Sequence, residues 1–68
     1  MDEYLVNMNP QDTGEHEIHK EGCSHPPAIY NRKHLGKFSD CEEAVEEARK
    51  YYSNVDGCEH CVPKCHTR

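Results

Sequence analysis

Two short β-prone stretches, separated by turn residues, begin the chain. Residues 4–8 contain Tyr, Leu and Val, which are common in strands, and residues 15–19 alternate polar side chains around Ile18. Residues 9–14 between them are Asn, Pro, Gln, Asp, Thr and Gly, a composition typical of turns. The pattern predicts a β-hairpin with a long turn.

The next segment is predicted to leave the sheet and then return to it. Pro26 and Pro27 lack the backbone N–H donors that a sheet ladder needs, so residues 22–27 are expected to form a loop. Residues 34–38 are predicted to form a third short strand.

An amphipathic helix from about Asp40 to Tyr52 is the clearest element in the pattern. Ser39 and Glu42 match a capping box, and Asp40 is a competing N-cap. Apolar side chains at helical spacing form one stripe: Cys41, Ala44, Val45, Ala48 and Tyr52. This stripe is expected to lie across one face of the sheet.

The residues after the helix are predicted to form a turn, because Asn54 and the Asp56-Gly57 pair disfavour further helix. The fold class is therefore predicted to be α+β. We expect a small three-stranded, mostly antiparallel sheet with one helix packed on one face.

The apolar content is low for a folded chain. The length of 68 residues allows one small domain spanning residues 1–68, and Leu, Ile, Val and Phe together supply only nine of those residues. The fraction of the chain made up of these four residue types is below the ~20% under which a charged chain is expected to be disordered. Small domains of this kind are commonly stapled by disulfides or a metal, and five cysteines with six histidines favour such a staple.

The charge balance bears on partners and location. Eight basic against 13 acidic side chains give a net charge of −5, which disfavours nucleic acid. The sequence identifies no partner, and a protein is the class that it leaves open. The N-terminus lacks the positive charge and apolar run of a secretory signal. No apolar run approaches the ~20 residues of a membrane span. We expect a cytoplasmic monomer without a membrane segment.

Two cysteine and histidine motifs point to a metal site. Cys58 and Cys61 form a C-x-x-C pair, and His19 and Cys23 form an H-x-x-x-C pair at the exit of the second predicted strand. Zinc takes four such ligands in a tetrahedron. The predicted ligands of a Zn²⁺ ion are therefore His19, Cys23, Cys58 and Cys61. Because protein atoms fill all four positions, no activated water is expected, and neither is catalysis.

The remaining cysteines leave two alternatives open. Cys65 or His66 could replace His19 as the fourth ligand, or both could lie in a frayed tail. Cys41 lies on the apolar stripe of the helix and is expected to pack in the core as a free thiol.

The other histidines are expected outside the site. His60 lies inside the C-x-x-C turn and is expected to point to solvent. His16, His25 and His34 are expected at the surface.

These features favour a zinc-stabilised binding module over three alternatives: a thiol redox or sensor protein using Cys58 and Cys61, a disulfide-stapled secreted domain, and a small metal-free fold. Thioredoxin-like sites place C-x-x-C at the start of a helix, whereas here it follows the helix. A secreted disulfide domain would leave one of five cysteines unpaired and would lack an export signal.

The order of motifs resembles a known class of modules. The motifs occur in the same order as in a group of zinc-binding domains that resemble the N-terminal domain of the adaptive-response DNA methyltransferase. Similar modules are appended to some bacterial nucleases. The segments that carry the resemblance are residues 19–23, 35–39 and 57–63. The chain also resembles a family of short bacterial stand-alone proteins that begin with a Tyr-Leu-Val-Asn strand and end in Cys-His-Thr.

The resemblance implies a zinc site but not the methyltransferase activity. In that domain all four ligands are cysteines, and one thiolate accepts a methyl group from DNA phosphate. Here His19 stands where one cysteine would be. The net charge of −5 also disfavours a DNA partner, so the activity is not carried over.

Overall fold

A four-stranded mixed sheet with one helix forms the protein in this computed structural model, which describes residues 1–67. The strands and the helix are, in chain order, β1 (Asp2–Asn7), β2 (His16–Lys20), β3 (Arg32–Phe38), α1 (Cys41–Ala48) and β4 (Val55–Gly57). Short 3₁₀ helices span Ile29–Asn31 and Pro63–Cys65. The α+β prediction is confirmed, but the expected three-stranded sheet is wrong by one strand.

The predicted hairpin is formed by β1 and β2, which pair antiparallel with Leu5 opposite His19. β3 pairs antiparallel with the other side of β1 and begins two residues earlier than predicted, at Arg32. The spatial order is therefore β3-β1-β2-β4.

The fourth strand corrects the prediction of a turn at Asp56 and Gly57. β4 pairs parallel with β2, with Ile18 opposite Gly57. The buried Asp56 carboxylate accepts hydrogen bonds from the backbone N–H and hydroxyl of Thr67, at 2.9 Å each. The pairing with β2, which lies far earlier in the chain, overrides the local turn preference of an Asp-Gly pair.

Asp40, rather than Ser39, is the N-cap of α1. The Asp40 side chain accepts a hydrogen bond from the Glu43 N–H at 3.1 Å, while the Glu43 carboxylate accepts from the Ser39 N–H at 3.0 Å. The capping pattern is thus shifted by one residue from the predicted Ser39 and Glu42 pair. α1 ends at Ala48, earlier than the predicted Tyr52, and residues 49–51 form a turn.

The helix packs on one face of the sheet, as the apolar stripe predicts. Ala44 and Ala48 are fully buried in a cluster with Tyr4, Val6 and Ile18. Small alanine side chains let α1 approach the sheet closely, so a few large apolar residues are sufficient to fill the space between them.

The helix is covalently joined to the C-terminal segment by a disulfide between Cys41 and Cys65. Cys41 is buried as predicted, but it is not a free thiol, and Cys65 does not lie in a frayed tail. The two cysteines are 24 residues apart in the sequence, so spacing alone did not indicate the pair.

Across residues 1–67, no helix has both the length and the apolar character that crossing a membrane requires.

Candidate metal centre

The candidate ligands lie at one edge of the sheet because β2 and β4 are parallel. Parallel neighbours end at the same edge, and Ile18 is paired with Gly57 close to both ends. The pairing continues one residue further, since the Cys58 N–H donates to the Ile18 carbonyl at 2.9 Å. Cys58 therefore begins its turn beside the strand that carries His19.

A tight turn after β2 brings Cys23 back towards His19. The Cys23 N–H donates to the Lys20 carbonyl at 3.1 Å. Gly22 has a φ of +87°, a left-handed conformation that glycine adopts without steric cost. The H-x-x-x-C spacing therefore follows from a glycine-dependent turn.

A second turn presents Cys58 and Cys61, and it is closed by a hydrogen bond from the Val62 N–H to the Cys58 carbonyl at 2.8 Å. The Lys20 N–H donates to Cys61 Sγ at 3.3 Å, and the His25 N–H donates to Cys23 Sγ at 3.4 Å. Backbone N–H groups directed at sulfur favour the thiolate form that binds metal.

The four predicted ligands are brought together. One ligand atom from each of His19, Cys23, Cys58 and Cys61 lies within 4.8 Å of all the others. Cys23 Sγ is 3.9 Å from Cys58 Sγ, and Cys61 Sγ is 3.9 Å from His19 Nδ1. Tetrahedral zinc with Zn–S bonds near ~2.3 Å places sulfurs ~3.8 Å apart. The arrangement is compatible with a metal site, and it is the only cluster of this kind among residues 1–67.

Burial differs among the four side chains. Cys58 and His19 are 1% and 3% exposed, whereas Cys23 and Cys61 are half-buried. An ion at this point would reach solvent only past Cys23 and Cys61.

Glu17, a residue that sequence reasoning missed, lies beside the imidazole of His19. His19 Nδ1 faces the thiols, and Nε2 lies 3.3 Å from Glu17 Oε1. The other Glu17 oxygen accepts a hydrogen bond from Gln11 Nε2. A carboxylate that accepts the second ring N–H is the usual outer partner of a metal-binding imidazole. The i, i+2 spacing of the two residues on one strand face is the signal that could have found Glu17.

Burial shifts the pKa values of two candidate ligands, His19 and Cys61. Burial, and secondarily the positive charge of Arg32, lowers the pKa of His19, which keeps the imidazole neutral and free to bind a metal. Burial and the hydrogen bond with Cys23 raise the pKa of Cys61 to about 12. Metal binding must therefore displace a proton from Cys61 at neutral pH.

Cys65 and His66, the alternative fourth ligands, are engaged elsewhere. Cys65 is in the disulfide. His66 Nδ1 contacts the Gly57 carbonyl at 2.9 Å and Asp56 Oδ2 at 3.4 Å. The C-terminal segment is thus fastened to β4 beside the site.

The other histidines flank the cluster or lie away from it. His25 and His60 are exposed, and their rings stack with centroids 3.8 Å apart across the two ligand-bearing turns. His34 is exposed, as predicted, whereas His16 is half-buried and stacks on Tyr52 at 3.7 Å.

Comparison of the chain with protein-family models, with curated proteins and with solved structures finds no match.

Proposed function

We propose that this chain is a zinc-stabilised interaction module without catalytic activity. The observation that carries the proposal is the convergence of His19, Cys23, Cys58 and Cys61 on one point. One imidazole and three thiolates are a common donor set of structural zinc sites. Such sites contribute ~10–16 kcal/mol of apparent binding free energy in zinc-finger peptides. Whole-domain stability is ~5–15 kcal/mol, so one ion would contribute a large share of it.

The absence of catalysis is inferred from the count of ligands. Catalytic zinc keeps one position for water or substrate, whereas this cluster offers four protein ligands. A saturated tetrahedron supports a structural role for the ion.

A protein is the partner class that we propose for this monomeric module. Ile29 and Tyr30 are 78% and 80% exposed on the short helix before β3. Exposed neighbouring apolar side chains favour a protein contact, and the net charge of −5 disfavours a phosphate backbone.

A thiol redox role for the C-x-x-C pair is the weaker alternative. A nucleophilic cysteine of that kind needs a lowered pKa, usually at a helix N-terminus. Burial instead raises the pKa of Cys61 to about 12, and the pair is followed only by the three-residue 3₁₀ helix Pro63–Cys65, not by an α-helix.

The proposal is tested by the metal content of the chain purified without chelator. Elemental analysis is expected to give one zinc per chain. Replacement by Co²⁺ is expected to give the intense visible bands of a tetrahedral thiolate site. The Cys58→Ser variant should lose these bands, because it removes a buried thiolate.

His66→Ala is the matched control, since His66 is a nearby histidine outside the cluster. It should keep the Co²⁺ spectrum, while His19→Ala should lose it. A wild-type chain that takes up no zinc, or a spectrum that survives His19→Ala but not His66→Ala, would contradict the proposed site.

A further inference from the structure

The Cys41–Cys65 disulfide joins α1 to the segment that carries two of the four candidate ligands, Cys58 and Cys61. Cys41 is the first residue of α1, and Cys65 ends the short helix that follows the Cys58–Cys61 turn. A cleft of about 320 Å³ between these elements is lined by both Cys41 and Cys61.

The segment from Cys58 to Cys65 is packed tightly on β4. A Cβ atom placed on Gly57 would lie 2.7 Å from the Val62 carbonyl oxygen and 2.9 Å from the Cys65 carbonyl carbon. The Cys65 N–H also donates to the Val62 carbonyl at 3.2 Å. Movement of Cys65 is therefore transmitted to Val62, the residue directly after Cys61.

Besides the disulfide, the segment is held by the buried side chains of Cys58 and Val62 and by contacts of the residues after Cys65 with β4. His66 and Thr67 contact Asp56 and Gly57 at the end of β4, and Pro63 and Lys64 are exposed. The disulfide is the covalent link between this segment and α1.

We propose that the Cys41–Cys65 disulfide is a redox control on the metal centre: its reduction loosens the Cys58–Cys61 turn and speeds release of the ion. This inference rests on the proposed function, because it requires that the cluster hold a metal. It gives the chain a second property, a metal affinity that depends on the thiol redox state of its surroundings.

The reductant is a dithiol. Cys65 is half-buried and Cys41 is 4% exposed, so the attacking thiolate reaches the sulfur of Cys65. The S–S bond breaks, and Cys41 leaves as a thiolate that takes a proton from solvent. The second thiol of the dithiol then displaces Cys65, so the chain gains two electrons and two protons and the dithiol becomes a disulfide.

The test compares the rate of zinc release from the oxidised and the reduced chain. Zinc-loaded protein is mixed with a chromophoric pyridylazo chelator, before and after treatment with a water-soluble phosphine that is oxidised to its phosphine oxide. Alkylation followed by mass measurement confirms two additional free thiols in the reduced sample. We expect reduction to speed zinc release about fivefold or more, the lower end of typical coupling between sites.

The Cys41→Ala/Cys65→Ala double variant is the matched control. It should release zinc at the fast rate with or without phosphine. Should this variant fail to fold, the wild-type comparison alone still decides the question. Equal release rates from oxidised and reduced wild-type chains would overturn the redox control and leave the zinc module standing. A chain that binds no zinc in either state would overturn both.

Discussion

Glu17 is a residue that the sequence motifs did not single out. Its carboxylate lies 3.3 Å from His19 Nε2, on the side of the ring away from the thiols. Loss of such an outer partner typically weakens metal binding ~10–100-fold. We therefore expect Glu17→Gln to raise the zinc dissociation constant within that range, as measured by competition with a chelator of known affinity.

Glu46→Gln controls for the change in net charge, because Glu46 is exposed on α1. It should leave the dissociation constant unchanged. Equal effects of the two substitutions would show that Glu17 acts only through the overall charge of the protein.

His19 and Cys61 predict the pH range in which the metal-free fold is most stable. The pKa of His19 is lowered from 6.5, so its contribution to stability is present above pH 6.5 and is lost as pH falls through the folded pKa. The pKa of Cys61 is raised from 9.0 to about 12, so its contribution is present below pH 9 and is lost as pH rises towards 12.

Thermal unfolding of the chelated protein should therefore give the highest midpoint between about pH 6.5 and 9. The His19→Gln variant should flatten the acid side of this profile and leave the alkaline side in place. If His19→Gln leaves the acid side of the profile unchanged, the loss of stability at low pH is due to groups other than His19.

Among the elements, β4 depends on the absence of a side chain at Gly57. A methyl group there would meet the backbone of Val62 and Cys65, which cannot move without displacing the Cys58–Cys61 turn. Overpacking of this kind costs ~1–3 kcal/mol. We expect Gly57→Ala to lower the free energy of unfolding by about that amount in a urea titration, and to weaken zinc binding as well.

Ser53→Ala, at an exposed position just before β4, is the comparison for Gly57→Ala. It should change the free energy of unfolding by less than ~0.5 kcal/mol. If the Gly57→Ala protein is as stable as the Ser53→Ala protein, residues 58–65 must shift to accommodate the methyl group without loss of stability.

For the whole molecule, two staples supplement a small apolar core. The disulfide closes a sequence separation of 24 residues, for which loop-closure entropy predicts ~3 kcal/mol of stabilisation. The proposed zinc ion joins the end of β2 to the turn after β4. We expect chelator and reductant together to abolish cooperative thermal unfolding, and either one alone to lower its midpoint without abolishing it.

The reversal control is to add zinc back to the reduced, metal-free chain. The added zinc should restore a cooperative transition, as measured by calorimetry. Retention of the full transition in protein shown to be both metal-free and reduced would mean that the apolar core is sufficient by itself.

Short-range features of the sequence predicted the hairpin, the third strand and the beginning of the helix, because each depends on neighbouring residues. The alternation around Ile18, the apolar stripe beginning at Cys41 and the cap at Asp40 are local signals. The C-x-x-C and H-x-x-x-C motifs were also sufficient to name the four residues that the fold brings together.

Tertiary contacts decided the rest. β4 forms at an Asp-Gly pair because it pairs in parallel with β2, with Ile18 opposite Gly57 although the two are far apart in sequence. The disulfide likewise joins residues 24 positions apart. Local patterns determine what a segment can form by itself, whereas partners brought together only by folding determine which strand is added and which thiols pair.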